Sequence, residues 1–247
     1  MPRNPDNNLK PMHTYYCGTT GSGKSKAVQY LGRCNTDHLL IWDPYGDYRY
    51  KARDPDQRGF KGLKVVHYDV DKCGSVEGAK KAFLKAVKAA DESGRKFRLA
   101  LSIKINRDDF LWFCAVAWAI ADGKRRLDVI CEEVAVACET AGREKSMYGE
   151  LLTGGRKFHL VTHSTAQRAA ETPNTVLSQS PYKWVGMQDF PADVKRMAEM
   201  CGIDRPEIER LREIEYILKG PGLGNITPGK LKLPPLKKRK TAKPAKK

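Results

Sequence analysis

The run Gly18-Thr19-Thr20-Gly21-Ser22-Gly23-Lys24-Ser25 fits the pattern G-x-x-x-x-G-K-[ST], and it stands between an apolar stretch over 12–17 and a helix-like stretch over 23–33. No other feature of the chain constrains its fold as much. The glycines let consecutive backbone N–H groups curl around nucleotide phosphates without a Cβ in the way, and the loop works only where a strand delivers it and a helix leaves it. The expectation is an ATP site made by Gly18, Thr19, Thr20, Gly21, Ser22, Gly23, Lys24 and Ser25. In it Lys24 reaches the β- and γ-phosphate oxygens and Ser25 ligates Mg²⁺.

The rest of the body alternates as that loop requires. Short apolar runs predict strands over 12–17, 38–43, 64–68, 97–103, 127–131, 158–163, 182–187 and 215–218. Helices are predicted over 23–33, 75–93, 107–121, 146–152, 192–201 and 206–212, the second with Ala79, Phe83, Ala86, Val87 and Ala90 at helical spacing. Strand and helix in alternation imply an α/β fold with a mainly parallel sheet covered by helices on both faces.

Composition sets the outer bounds. With 247 residues, 40% of them apolar, the chain has a domain's worth of core and is too apolar for wholesale disorder. Seven cysteines are sparse for this length and odd in number, which favours free thiols in a reducing, cytosol-like compartment. The longest apolar stretch, 110–121, is too short to span a membrane, and residues 1–10 resemble neither a secretory signal nor a presequence. The net charge of +16 is uneven: residues 220–247 hold nine Lys and Arg and no acid, with Pro221, Pro228, Pro234, Pro235 and Pro244 among them. A disordered basic tail follows, either solubilising or serving as a counterion-releasing arm for nucleic acid. The expected organisation is an N-terminal arm over 1–11, an ATPase domain over 12–220 and the tail over 221–247.

A phosphate loop needs an acidic strand end beside it to hold the Mg²⁺ shell and place the attacking water. Leu127-Asp128-Val129-Ile130-Cys131-Glu132-Glu133 supplies one, with Glu132 facing the metal through water and Glu133 as the base for the lytic water. Asp43, at the end of the second strand, competes with Glu132 for the metal.

Ile41-Trp42-Asp43-Pro44-Tyr45-Gly46-Asp47-Tyr48 resembles the apolar-D-P-x-G-[ED]-Y signature of the FtsK/HerA superfamily of DNA-pumping ATPases. The stretch 129–135 is similar to that family's acidic strand, and 155–168 to its "G/A-R, apolar strand, T-Q-R-P" segment, in the same order over roughly residues 12 to 220. Glu132 stands for the usual Asp, Ala166 is inserted between Thr165 and Gln167, and Ala169 replaces a frequent Pro. The resemblance implies a P-loop NTPase of the RecA-like, additional-strand type, closest in kind to the genome-packaging ATPases of tailless, membrane-containing icosahedral phages. It further implies a γ-phosphate sensor, Gln167 or Thr165, of which Gln167 is chosen because an amide can both donate to a phosphate oxygen and accept from water. Across a subunit boundary it implies an arginine acting on the neighbour's nucleotide, with Arg156 the candidate and Arg168 and Arg143 its rivals.

The partners so implied are double-stranded DNA, further copies of the chain in a hexameric ring, and capsid vertex or portal proteins, with the host cytoplasm and the virion's packaging vertex as the setting. The competing class is a P-loop kinase for a nucleotide or small molecule, against which stand the Glu132-Glu133 pair, Gln167 and the basic tail. His159 and His163 lack a visible acidic third ligand, Cys131 and Cys138 form no C-x-x-C, and the aromatic helix over 110–120 reads as core.

Overall fold

The structure, a computed structural model, describes residues 1–54 and 57–234. In chain order its strands are β1 (Thr14–Cys17), β2 (His38–Trp42), β3 (Val66–Asp69), β4 (Phe97–Ser102), β5 (Leu127–Cys131), β6 (Leu160–Ala166), β7 (Tyr182–Val185), β8 (Glu215–Lys219) and β9 (Ile226–Lys230). The helices are α1 (Lys24–Tyr30), α2 (Val70–Cys73), α3 (Val76–Ser93), α4 (Arg107–Ile120), α5 (Val134–Ala137), α6 (Met147–Gly154), α7 (Asn174–Gln179), α8 (Pro191–Cys201) and α9 (Arg205–Glu209). The two longest start at side-chain caps. Ser75 accepts from Gly78 N–H to open α3, and Asn106 accepts from the Asp108 and Asp109 N–H groups to open α4.

All strands join one sheet in the order β3-β4-β2-β5-β6-β1-β7-β8-β9. The pairs from β3 to β7 are parallel; β8 runs antiparallel to β7, and β9 antiparallel to β8. Because strand side chains alternate, each central strand feeds two cores. Leu40 and Trp42 of β2 pack with Phe83 of α3 and Phe110 and Phe113 of α4, while Leu39 and Ile41 pack on the opposite face with Ala27 and Val28 of α1, Phe60 and Trp184. One strand, β6, lies between β1 and β5, which is the additional-strand arrangement expected.

The segment from 221 onwards does not behave as a tail throughout. Ile226–Lys230 pairs residue for residue with Glu215–Lys219 and closes the sheet, so the expected mobile stretch is corrected there. Pro228 is tolerated because β9 is an edge strand with no further neighbour among the described residues to receive an N–H there. The remainder of the expected tail, 235–247, lies outside the described residues. The N-terminal arm lies at the end of the sheet where the central parallel strands begin, just before β5 and β6, where Arg3 N–H donates to Ala121 O and Asp6 N–H to Lys157 O. Among the described residues no helix is long and apolar enough to cross a membrane.

Candidate active site

Five adjacent strands, β2, β5, β6, β1 and β7, point their C-terminal ends at one place. Open parallel sheets gather their ligands along this edge. The phosphate loop leaves β1 there and turns into α1 through Gly21 and Gly23, both with positive φ (80° and 99°). A Cβ on Gly18 would meet the buried Ser22 Oγ at 2.5 Å, and one on Gly23 would stand 3.3 Å from Ile214 Cγ2, so the loop's curl depends on both glycines. Its outer side is anchored by Thr19 N–H to Met187 O (2.8 Å) and by Thr19 Oγ1 donating to Asp189. Lys24 Nζ reaches back across the loop to Gly18 O (2.8 Å) and Thr19 O (3.2 Å), so the ammonium lies where phosphate oxygens would compete with those carbonyls.

The loop after β2 is organised by Asp43. This buried carboxylate accepts from the N–H groups of Asp47 (2.8 Å) and Tyr48 (3.2 Å), four and five residues on, which makes it a cap for its own loop. Burial pushes the Asp43 carboxyl up to about 7, although the backbone amides of Tyr48 and Asp47 pull the other way. Held in this way, Asp47 accepts the Ser25 hydroxyl at 2.8 Å, and Tyr48 sends its own hydroxyl inward to Glu132 Oε1.

Glu132 is 3% exposed, and its second oxygen accepts from Thr165 Oγ1 at the end of β6. Burial pushes its carboxyl up to about 8; the Thr165 and Tyr48 hydroxyls oppose the shift, and the Asp47 and Asp43 carboxylates add to it. The next residue, Glu133, takes a left-handed backbone (φ 54°, ψ 48°), uncommon for a residue with a side chain, and its N–H donates to Thr165 Oγ1 at 3.1 Å. Its side chain accepts from Gln167 Nε2 at 3.0 Å, and Gln167 Oε1 in turn accepts from Thr20 Oγ1 at 2.9 Å. Thr165 and Gln167 therefore have different jobs. Thr165 braces the two glutamates, and Gln167 ties Glu133 to the tip of the phosphate loop.

The structure brings the loop residues Gly18 to Ser25 together with Glu132, Glu133 and Gln167, but not with Arg156. That arginine sits before β6, at the far edge of the sheet, where it donates to Leu9 O (3.1 Å) and Asn7 O (3.4 Å) of the arm. Arg168 is engaged by Asp193 (2.8 Å) and Glu171 (3.2 Å), whereas Arg143 is exposed with no side-chain partner among the described residues. The sequence reading missed Asp47 as a partner of Ser25, because the two stand on different elements that only the fold brings together. It also missed an acidic partner for His163. Asp128 supplies one across the β5–β6 pair at 2.7 Å, and Arg126 and Asn35 N–H complete the shell of that carboxylate.

Ser25 Oγ and the carboxylates of Asp47, Asp43 and Glu132 form a set of hard oxygen donors beside a loop shaped for phosphates. That chemistry fits Mg²⁺, held by Ser25 with Asp47 and Glu132 near it. When bound, the ion would neutralise charge on the β- and γ-phosphate oxygens.

Fold and site together define a P-loop NTPase of the additional-strand type. Protein P9 of Pseudoalteromonas phage PM2 is 26% identical over 221 residues, 87% of this chain and 88% of P9. The genome packaging NTPase B204 from Sulfolobus turreted icosahedral virus 2, solved with AMPPCP, superposes with a TM-score of 0.66 at 14% identity over 90% of this chain and 98% of that one. The bacterial conjugative coupling protein TrwBdeltaN70 gives a TM-score of 0.60 at 14% identity, over 92% and 86% of the two chains. VirB4 of Thermoanaerobacter pseudethanolicus gives 0.60 at 10% identity over 90% of each. No family model matches the chain. The fold is thus shared with a genome packaging NTPase, a conjugative coupling protein and VirB4, in line with the resemblance read from the motifs.

Proposed function

We propose that this chain is an ATP-hydrolysing translocase that packages double-stranded viral DNA into a preformed capsid. The observation that carries the hydrolytic half is the hydrogen-bonded series from Thr20 through Gln167 to Glu133. A carboxylate tied by one amide to the tip of the phosphate loop is suited to take a proton from water and to register whether a γ-phosphate is present. In this reading Glu133 is the base, Gln167 the sensor, and Lys24 the charge that meets the β- and γ-oxygens. Ser25 serves the metal directly, and Glu132 stands behind it and meets the ion through water.

The DNA half is supported by the net charge of +16 and by the likeness to a genome packaging NTPase and to a conjugative coupling protein. The viral setting is supported by the phage origin of the P9 relative. The working unit is a hexameric ring, with capsid vertex or portal proteins as further partners and the host cytoplasm and virion vertex as its location. One subunit's arginine completes the next subunit's site. Arg156, at the far edge from its own loop, fits a role in trans better than one in cis, with Arg143 and Arg168 as rivals.

The test is the steady-state ATPase rate of the full chain with and without long duplex DNA at low and moderate salt. Stimulation by duplex is expected, falling as salt rises. Equal rates with and without duplex would contradict the translocase, and phosphate transfer to an added nucleotide in place of water would establish a kinase instead.

A further inference from the structure

The loop that follows β2 divides two carboxylates between two tasks. Glu132 occupies the strand position from which an acid ordinarily faces the metal, yet both its oxygens accept hydroxyls, Tyr48 on one and Thr165 on the other, and it is 3% exposed. The carboxylate that faces the cleft is Asp47. It is exposed, and it accepts the hydroxyl proton of Ser25 at 2.8 Å.

Accepting that proton has a chemical consequence. A serine hydroxyl has one proton and two acceptor lone pairs, so a proton committed to Asp47 leaves the lone pairs free for a cation. The aspartate is also fixed where it stands. Its own N–H is held by Asp43 Oδ1 at 2.8 Å, the preceding Gly46 takes the positive φ the turn needs, and the following Tyr48 is fully buried. Asp43, Asp47 and Tyr48 thereby convert one short turn into a bridge between Ser25 and Glu132.

Resting on the nucleotide-hydrolysing reading above, we infer that Asp47 is the positioning residue of the metal site, orienting Ser25 for the divalent ion. Glu132 braces the wall behind it. The residue acts through Ser25, so its effect is confined to metal-dependent binding and leaves the phosphate loop's grip on nucleotide intact.

The experiment measures two affinities on the full chain: ADP in EDTA by calorimetry, and Mn²⁺ on the ADP complex by electron paramagnetic resonance. Asp47→Ala, which removes the acceptor, is expected to weaken Mn²⁺ retention about 10- to 100-fold, the usual cost of losing a group behind a metal ligand, while ADP affinity in EDTA stays within about twofold. Adding Asp47→Ala to Ser25→Ala is expected to cost little more than Ser25→Ala alone, because the two act as one unit. Unchanged Mn²⁺ retention overturns the role. So does an equal loss of ADP affinity in EDTA, which would mark Asp47 as a support for the loop's fold, and so does full additivity with Ser25→Ala. A parent chain that holds no ADP in either buffer overturns the nucleotide reading itself, and the role of Asp47 with it.

Discussion

Strand β5 carries two buried carboxylates on one face, Asp128 near its start and Glu132 just past its end, and their surroundings are opposite. Asp128 is bonded by Arg126 (2.7 and 2.8 Å), His163 Nε2 (2.7 Å) and Asn35 N–H (2.9 Å). Glu132 receives only the Tyr48 and Thr165 hydroxyls, and no cationic side chain among the described residues is paired with it. Burial pushes the Asp128 carboxyl up, but the bonds from His163 and Arg126 outweigh it and hold the group below the ordinary 3.8. At Glu132 burial wins. A compensated acid at the inert end of the strands is scaffold, and an uncompensated one beside the phosphate loop marks where positive charge has still to arrive.

The same contrast disposes of a second metal site. Cys34, Asp128 and His163 come close enough together to share an ion. Arg126 already supplies the positive charge there, and His163, kept neutral by burial, donates its Nε2–H to the carboxylate.

The largest effect expected from breaking this contrast is on stability. Asp128→Asn strands the Arg126 cation and should cost about 3–5 kcal/mol in a urea melt while leaving Mn²⁺ retention untouched. A loss below about 1 kcal/mol would make the compensated pair no scaffold at all. Next comes Lys24→Ala, which removes charge-assisted bonds to phosphate. It should weaken ADP binding about 100-fold by calorimetry with little change in melting, the reverse of the Asp128 phenotype.

The smallest effect is the dependence of melting on pH in EDTA, and the two acids should leave it at opposite ends. Glu132 is raised from 4.5 to about 8, so its contribution is fully present below about pH 4.5 and is lost as pH rises through 8. Asp128 is lowered, so its contribution is present above its ordinary 3.8 and is lost as pH falls through the depressed value. Glu132→Gln should therefore flatten the decline in melting temperature between pH 5 and 8 without touching the acid limb. Some slope should remain, because Asp43, pushed to about 7, titrates in the same window. A Glu132→Gln protein with the parent's full decline would place the titrating group elsewhere.

Much of this molecule was legible in its sequence, and what was missed was missed for physical reasons. The loop at Gly18 to Ser25, the strand before it and the acidic end of β5 follow from local patterns, because each needs only its own neighbours. Three short helices, α2, α5 and α7, are too brief to show a period. Strand β9 reads Ile-Thr-Pro-Gly-Lys, a poor strand on propensity, and forms because β8 offers it an edge. The links between Ser25 and Asp47 and between Asp128 and His163 join different elements, so no spacing along the chain could reveal them. Arg156 was read from a motif position, and its bonds to the arm carbonyls of Asn7 and Leu9 again come from tertiary structure alone.

The most direct measurement is the ATPase turnover of Glu133→Gln beside its affinity for ATP, both in Mg²⁺. With Glu133 as the base for water, affinity should match the parent while turnover falls about 10²- to 10⁴-fold. Hydrolysis at the parent's rate would contradict the assignment and move the chemistry away from the uncompensated end of β5.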